Sequence, residues 1–269
     1  MIDVSDYKRV ITEGSSKGNQ LKFYNNGFWY KIDNMNCSEG LAEHFVSEFC
    51  KCLYGFNFVE YFEETLKYND DIYKGCYSYN MYGNCNISFI SLRRLFRQNK
   101  IPLNIFIKEQ DIALNIRNVV NKVGELTNLN IFGYLVWLLF LDALIINEDR
   151  HYMNLGVCTD EHNYFLASCF DNGSSLFCTN WTYRKTKSFE ENIKSALSVA
   201  RPFSKFFDAQ IRALVSLGGM PLNIDYNKLN WFLTNFNSDL YETEKVELCK
   251  QILRYKLGYY NNIGVYRYV

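Results

Sequence analysis

The chain has 269 residues, of which 48% are hydrophobic and 22% are charged, a composition typical of a folded globular protein and not of a disordered one. Its 29 basic and 29 acidic residues give a formal net charge of zero. No strong basic field therefore exists to attract nucleic acid, and we expect no direct nucleic-acid binding.

The most apolar run extends from Ile131 to Ile146 and contains Asp142. A bilayer span requires about 20 largely uncharged residues, so this run is predicted to form a buried helix, and no membrane span is expected. The N-terminus lacks the apolar core of a secretory signal. The nine cysteines include no Cys-x-x-Cys pair, which favours reduced thiols in a cytoplasmic protein over a zinc site.

Short β-prone runs dominate the chain up to about residue 86, and strands are predicted at Gln20–Tyr24, Gly27–Ile32, Asn57–Phe62 and Ile72–Met81. The sequence Asn25-Asn26-Gly27 between the first two runs is a hairpin signal, because Asn and Gly tolerate positive φ. One helix is predicted after the second strand, with Ser38 as its N-cap. Its apolar residues recur at helical spacing, at Leu41, Phe45, Phe49, Leu53 and Phe56.

Helical patterns dominate after residue 88, at Ser91–Gln98, Glu109–Val123, Ile131–Ile146, Ser204–Leu217, Tyr226–Phe236 and Leu240–Tyr259. A β-like insertion interrupts them at Leu155–Val157 and Tyr164–Phe170. The sequence thus predicts an α+β fold, with a small β-rich N-lobe at 1–86 and a helical C-lobe at 87–269. A cleft between two such lobes suits a nucleotide, although this layout alone does not establish a function.

Six consecutive polar or charged residues follow the apolar run, starting at Asn147. Asp149 and Asn154 are five positions apart, and Asp171 follows at the end of the predicted hairpin. Each feature has an ordinary structural alternative, namely a helix cap with a salt bridge for the first and a turn for the last. Their order on helix, loop and hairpin favours a functional site.

Phosphoryl transfer requires this set of groups, because the γ-phosphoryl group needs positioning and charge neutralisation more than covalent help. One carboxylate orients the acceptor hydroxyl and takes its proton, which is the role predicted for Asp149. An amide oxygen and a second carboxylate, from Asn154 and Asp171, are hard ligands for the Mg²⁺ that bridges the phosphates. The spacing of Asp149 and Asn154 matches the base and metal ligand of the protein-kinase catalytic loop.

The pattern Asn-x-Asp-Arg-His-x-x-Asn, followed by Phe-Asp-Asn-Gly, resembles the HipA-like kinases and, among them, the compact CtkA-like branch. Its Asp-Arg-His-x-x-Asn core is similar to that of phosphatidylinositol 3/4-kinases. The resemblance implies a bilobal PI3/4-kinase-like fold, ATP and Mg²⁺ as cofactors, and a Ser/Thr hydroxyl of a protein as acceptor. It also implies that Asp149, Arg150 and His151 form the catalytic group and that Asn154 and Asp171 hold the metal.

A Gly/Ser-rich segment near the N-terminus is the predicted phosphate grip, formed by Gly14, Ser15, Ser16 and Lys17. Backbone N–H groups of such a loop can surround phosphates, although a flexible turn has the same composition. The resemblance places the phosphate loop of HipA-like kinases at this position. It also implies Ser15 and Ser16 as sites of autophosphorylation.

Lys31 ends the second predicted strand, and the helix that follows offers Glu43 twelve residues later. A strand Lys that contacts the α- and β-phosphates and is held by a helix Glu is a recurring kinase arrangement. The resemblance favours Glu43 as the partner, with Glu48 as the alternative. The adenine ring is expected beside the connection between the lobes, at Tyr79, Asn80 and Met81.

Two other functions remain open. A lipid or small-molecule kinase would use the same catalytic loop, although the neutral net charge argues against docking on anionic membranes. A catalytically silent nucleotide-binding or toxin-type partner module is disfavoured because Lys31, Asp149, Asn154 and Asp171 are all present.

Overall fold

A computed structural model describes residues 1–10, 20–82, 86–106, 111–160, 162–179, 183–197 and 199–269. The described strands are β1 (Ile2–Asp3), β2 (Lys8–Val10), β3 (Lys22–Asn25), β4 (Phe28–Ile32), β5 (Leu53–Tyr54), β6 (Tyr61–Tyr68), β7 (Asp71–Tyr79), β8 (Ser88–Ser91), β9 (Gly156–Thr159), β10 (Tyr164–Leu166), β11 (Leu222–Ile224) and β12 (Tyr266–Tyr268). The described α-helices are α1 (Glu39–Cys50), α2 (Leu92–Gln98), α3 (Ile112–Thr127), α4 (Phe132–Ile145), α5 (Phe189–Ala196), α6 (Phe207–Ser216), α7 (Tyr226–Asn235) and α8 (Thr243–Tyr260), with a 3₁₀ turn at Leu103–Phe106. The fold is α+β, as predicted.

The largest sheet has six strands in the order β1-β6-β7-β4-β3-β2, with β1 parallel to β6 and every other pair antiparallel. The predicted hairpin is confirmed, because β3 and β4 join through Asn26 and Gly27, whose φ angles are 47° and 85°. Positive φ at both positions matches the right-handed twist of the flanking strands. This turn fixes the register in which Lys22 lies opposite Lys31.

Helix α1 packs against β6 and β7 of this sheet. Its Leu41, Phe45 and Phe49 are fully buried in the main hydrophobic core, where the rings of Phe45 and Phe49 contact Phe232 of α7. Ser38 occupies the N-cap position, but its side chain makes no capping hydrogen bond. The side chain of Asp33 accepts a hydrogen bond from the N–H of Gly40 instead, at 2.7 Å. The predicted continuation of the helix to Leu53 and Phe56 is wrong: α1 ends at Cys50, because the chain then pairs as β5 with β11.

Helix α4 is buried on all sides, as the uniform apolarity of its sequence predicts. It packs against α6, α8 and β11. Within the described ranges, no helix is both long and apolar enough to cross a bilayer. Of the nine cysteines, those in the described ranges are free thiols, and all of them except Cys37 are buried.

Several elements differ from the sequence prediction. Residues 57–60 form no strand, apart from a single bridge between Phe58 and Cys169, and the pairing with β7 begins at Tyr61. Helix α5 was missed, although Ser188 and Glu191 form a capping box at its start. Strands β8, β9 and β10 form one three-stranded sheet, and β12, β11 and β5 form another. The strands missed in these sheets have only two to four residues each, too few for a periodic pattern to develop.

Two glycines lie at close contacts of β7, one with the neighbouring strand β4 and one with helix α1. A Cβ at Gly75 in β7 would lie 2.2 Å from the carbonyl oxygen of Lys31. A Cβ at Gly40 would lie 2.7 Å from the carbonyl carbon and oxygen of Gly75. A Cβ at either position would force the backbone to shift, so Gly75 allows β7 to lie close to β4 and Gly40 allows α1 to lie close to β7.

We expect Gly75→Ala to lower the free energy of unfolding by about 1–3 kcal/mol, because the new methyl group overpacks the sheet. Denaturant titration measures this change. The control is Gly258→Ala on α8, where no atom lies within 4 Å of the added methyl group. That variant should gain up to about 1 kcal/mol of helix propensity. Equal midpoints for Gly75→Ala and the wild type would contradict the proposed constraint.

Candidate active site

The loop after α4 begins with an abrupt turn. Ile146 has a φ of 52°, a conformation that a β-branched residue adopts only when its surroundings impose it. The side chain of Asn147 then donates to Asp142 Oδ1 at 2.9 Å and accepts from the N–H of Asp149 at 3.0 Å. The side chain of Asn147 therefore connects the backbone of Asp149 to Asp142 on the preceding helix.

Arg150 is fully buried and connects this loop to the end of the β9–β10 hairpin. Its guanidinium group donates to both carboxylate oxygens of Asp142, at 2.9 and 3.0 Å. It also donates to the side-chain oxygen of Asn172 at 2.6 Å and to the carbonyl oxygen of Phe170 at 2.9 Å. Arg150 therefore forms a salt bridge with Asp142, which was the structural alternative for this segment. Its side chain binds groups of the protein itself.

Asp149, His151 and Asn154 lie on the other side of the loop. His151 Nε2 is 3.7 Å from Asp149 Oδ2. The side-chain amide of Asn154 donates to the backbone carbonyl of Asp149 at 3.1 Å, and this bond determines which end of the amide is the oxygen. The short loop therefore brings a carboxylate, an imidazole and an oriented amide together.

Lys31 in β4 contacts Glu43 on α1 and Asp171 in the segment after β10. Its ammonium group hydrogen-bonds Glu43 Oε1, lies 2.8 Å from Asp171 Oδ1 and is 3.3 Å from the hydroxyl of Tyr61. Burial alone would lower the pKa of Lys31, but the charges of Asp171 and Glu43 raise it well above its ordinary value. The alternative partner Glu48 contacts Lys51 instead, at 2.6 Å.

Glu43 also reaches the hairpin. Its Oε2 accepts a hydrogen bond from the backbone N–H of Asn172 at 2.8 Å. One carboxylate on α1 therefore holds both the strand lysine and the residue that follows Asp171. With only about 1% of its surface exposed, Glu43 acts inside the protein.

Lys22 is a residue of this group that the sequence analysis missed. Its Nζ lies 3.3 Å from Asp171 Oδ1, the same oxygen that Lys31 contacts. Burial would raise the pKa of Asp171, but Lys22 and Lys31 together hold it far below its ordinary value. The available signal was the hairpin register, which sets Lys22 directly opposite Lys31.

A cavity of about 900 Å³ lies between the six-stranded sheet and these loops. Among its lining residues are eight that the sequence predicts for the site: Lys31, Tyr79, Asn80, Met81, Asp149, His151, Asn154 and Asp171. Glu43 and Arg150 do not line it, because both are buried behind residues that do. The predicted phosphate grip at Gly14, Ser15, Ser16 and Lys17 lies outside the described residues.

The cavity also has an apolar wall, of which the sequence analysis predicted Met81 but missed Val59 and Phe170. Val59, Met81 and Phe170 line it and belong to one small hydrophobic cluster. Tyr79 is largely exposed, with its ring centroid 4.6 Å from that of Phe28. The N–H of Asn80 donates to the carbonyl of Gly27. Of the predicted base-binding residues, Met81 therefore contributes the apolar side chain.

Two oxygen donors in the cavity fit the chemistry of Mg²⁺. Over the described ranges, no cluster of three or more His, Cys, Asp and Glu side chains is arranged to hold a metal ion. Mg²⁺ does not require one, because proteins hold it through one or two carboxylates while phosphates and water complete the octahedron. The carboxylate of Asp171 and the amide oxygen of Asn154, which line one cavity, fit that pattern.

No protein-family model matches the sequence, and no curated protein matches it. The crystal structure of a proinflammatory kinase from Helicobacter pylori, CtkA, is similar over 98% of this chain and 96% of its own. The TM-score is 0.62 and the sequence identity is 15%. The chain has a kinase-like fold. At this identity the likeness concerns the fold, and the roles of individual residues depend on the geometry described above.

We expect Arg150→Met to lower the free energy of unfolding by about 3–5 kcal/mol, because it leaves the buried carboxylate of Asp142 without its partner. Arg97→Met on the exposed face of α2 is the control and should change stability by less than about 0.5 kcal/mol. The double variant Arg150→Met/Asp142→Leu should recover part of the loss, since no charge then remains buried. Thermal and denaturant unfolding of Arg150→Met at wild-type values would contradict this role.

Proposed function

We propose that the chain is an ATP- and Mg²⁺-dependent kinase that transfers the γ-phosphate to a Ser or Thr hydroxyl of a protein. In this proposal the fold is bilobal and PI3/4-kinase-like, residues 1–86 grip the nucleotide, and residues 87–269 carry the catalytic loop. The observation that carries it is the convergence of Lys31, Asp149, Asn154 and Asp171 on one cavity. These residues come from a strand, a loop and a hairpin that are distant in sequence.

The proposed roles follow from the contacts. Lys31, held by Glu43, neutralises the α- and β-phosphates, and Asn154 and Asp171 hold the metal. When bound, Mg²⁺ neutralises charge on the β- and γ-phosphates. Asp149 orients the acceptor hydroxyl and takes its proton, with His151 beside it. Arg150 positions the loop and does not touch the substrate.

The base of the nucleotide is proposed to lie against Val59, Met81 and Phe170, the apolar part of the same cavity. Burial of a flat purine ring against such side chains supplies binding free energy that does not depend on the phosphates. The cavity also has the volume of a typical ligand site.

Lipid or small-molecule kinase activity would use the same groups, and a silent nucleotide-binding module would use only part of them. Transfer assays with labelled ATP and Mg²⁺, and with protein lysate, vesicles of phosphatidylinositol or no added acceptor, separate these functions. Label in Ser or Thr of protein supports the proposal. Label in lipid alone would replace it, and binding of nucleotide without any transfer would favour the silent module.

Autophosphorylation at Ser15 or Ser16 is part of the proposal. A phosphate there adds about −1.5 to −2 charges in the proposed phosphate grip, so it should inhibit nucleotide binding. Intact-mass spectrometry after incubation with Mg·ATP should show added mass that is absent from the Ser15→Ala/Ser16→Ala variant. Added phosphate that persists in this variant would assign the modification elsewhere.

The decisive experiment is Asp149→Asn, which preserves shape but removes the negative charge and the base. Transfer should fall by about 10²- to 10⁴-fold, the usual contribution of a general base, while Mg·ATP binding is retained. Asp239→Asn, at an exposed position outside the cavity, is the control and should retain full activity. Thermal melts confirm that both variants fold. Transfer by a folded Asp149→Asn protein at the wild-type rate would refute the proposed mechanism.

A further inference from the structure

Two lysines face each other across adjacent strands in the wall of the cavity. Lys22 in β3 and Lys31 in β4 are paired in register, and both line the cavity. Like charges directly opposite on neighbouring strands destabilise a sheet by themselves. Here a single oxygen, Oδ1 of Asp171, lies 2.8 Å from the ammonium of Lys31 and 3.3 Å from that of Lys22.

The charges of this group balance without a ligand. Lys22 and Lys31 carry two positive charges, and Glu43 and Asp171 carry two negative charges. Glu43 is engaged with Lys31 and with a backbone N–H, so Asp171 is the counter-ion that Lys22 and Lys31 share. A divalent cation that entered alone would have to take Asp171 from both lysines and leave two partly buried ammonium groups facing each other.

We propose that Lys22 is a second phosphate-binding residue, and that the two lysines hold Asp171 so that the metal enters only together with a nucleotide. The phosphates take over the two ammonium groups, and the carboxylate of Asp171 becomes available to the cation in the same event. Each charged group thus changes its partner, and none is left without a counter-ion. This inference rests on the proposed function, since it requires that the cavity binds nucleotide phosphates.

The geometry of Asp171 suits such an exchange. Its φ of 59° is left-handed, a conformation that Asp tolerates, and the hydrogen bond from the N–H of Asn172 to Glu43 holds the following residue in place. The backbone is therefore fixed on a buried support. The side chain of Asp171 retains about 23% exposure, so its carboxylate can change partners without movement of the chain.

Two binding measurements test the proposal: Mn²⁺ alone, followed by the electron paramagnetic resonance signal of the free ion, and ATP, followed by calorimetry with and without Mg²⁺. The wild type should bind ATP and should bind Mn²⁺ tightly only when ATP is present. Lys22→Met should weaken ATP binding by about 10- to 100-fold, the effect of losing one charge-assisted contact. The same variant should strengthen binding of Mn²⁺ alone, because Asp171 loses one of its two cations.

Opposite changes in the two affinities distinguish this role from a purely structural one, which would weaken both. Lys22→Arg retains the charge and should restore both properties toward the wild type, and Lys22→Gln repeats the test with a polar side chain. Lys67→Met, on the exposed part of the same sheet and outside the cavity, should change neither affinity. All variants are checked for folding by thermal melts.

Three different negative results would overturn three different parts of the argument. A wild-type protein that binds no ATP under any condition overturns the proposed function and this inference together. A wild type that binds Mg·ATP but also binds Mn²⁺ alone as tightly overturns only the ordered entry of the metal. Lys22→Met and Lys22→Gln proteins that bind ATP as the wild type does overturn the assignment of Lys22.

Discussion

The site is built around a positive charge that has no access to water. Arg150 places its guanidinium group under the loop that follows α4, where Asp142 neutralises it and Asn172 and two backbone carbonyls fill its other hydrogen-bonding positions. Removing such a charge from water is unfavourable by itself and is tolerated only with complete partners. The requirement forces α4, the loop after it and the hairpin end into one arrangement, because each supplies part of the set.

Glu43 performs the corresponding task where helix α1 meets the hairpin end. Its two oxygens reach a strand and a loop, so the positions of Lys31 and of the residue after Asp171 depend on one carboxylate. Together with Arg150 it encloses the segment from Phe170 to Asn172 between two buried charged groups of opposite sign. Neither of these groups lines the cavity, and yet the groups that do are held in place by them.

The sequence was most informative where a pattern depends on spacing along the chain. Asp149, Asn154 and Asp171, which line one cavity, could be predicted as candidate site residues because they follow one another in a set order on a loop and a hairpin. The partner of Lys31 could be identified because strand and helix are adjacent in sequence. Lys22 could not be predicted, because its position opposite Lys31 depends on the pairing register of β3 and β4. That register is set only when Asn26 and Gly27 close the hairpin. Arg150 stood inside the motif, but only packing shows that it faces the interior and not the cavity.

The contact between Gly40 and Gly75 has a consequence for movement of α1. Backbone meets backbone there, the side chain of Asp33 binds the first turn of α1, and the hydroxyl of Tyr241 donates to that same Asp33. Outward movement of α1 would therefore break the contact between the two backbones and the hydrogen bond from Gly40 to Asp33. Because Glu43 lies on the same helix, the contact between Lys31 and Glu43 would be lost in the same movement.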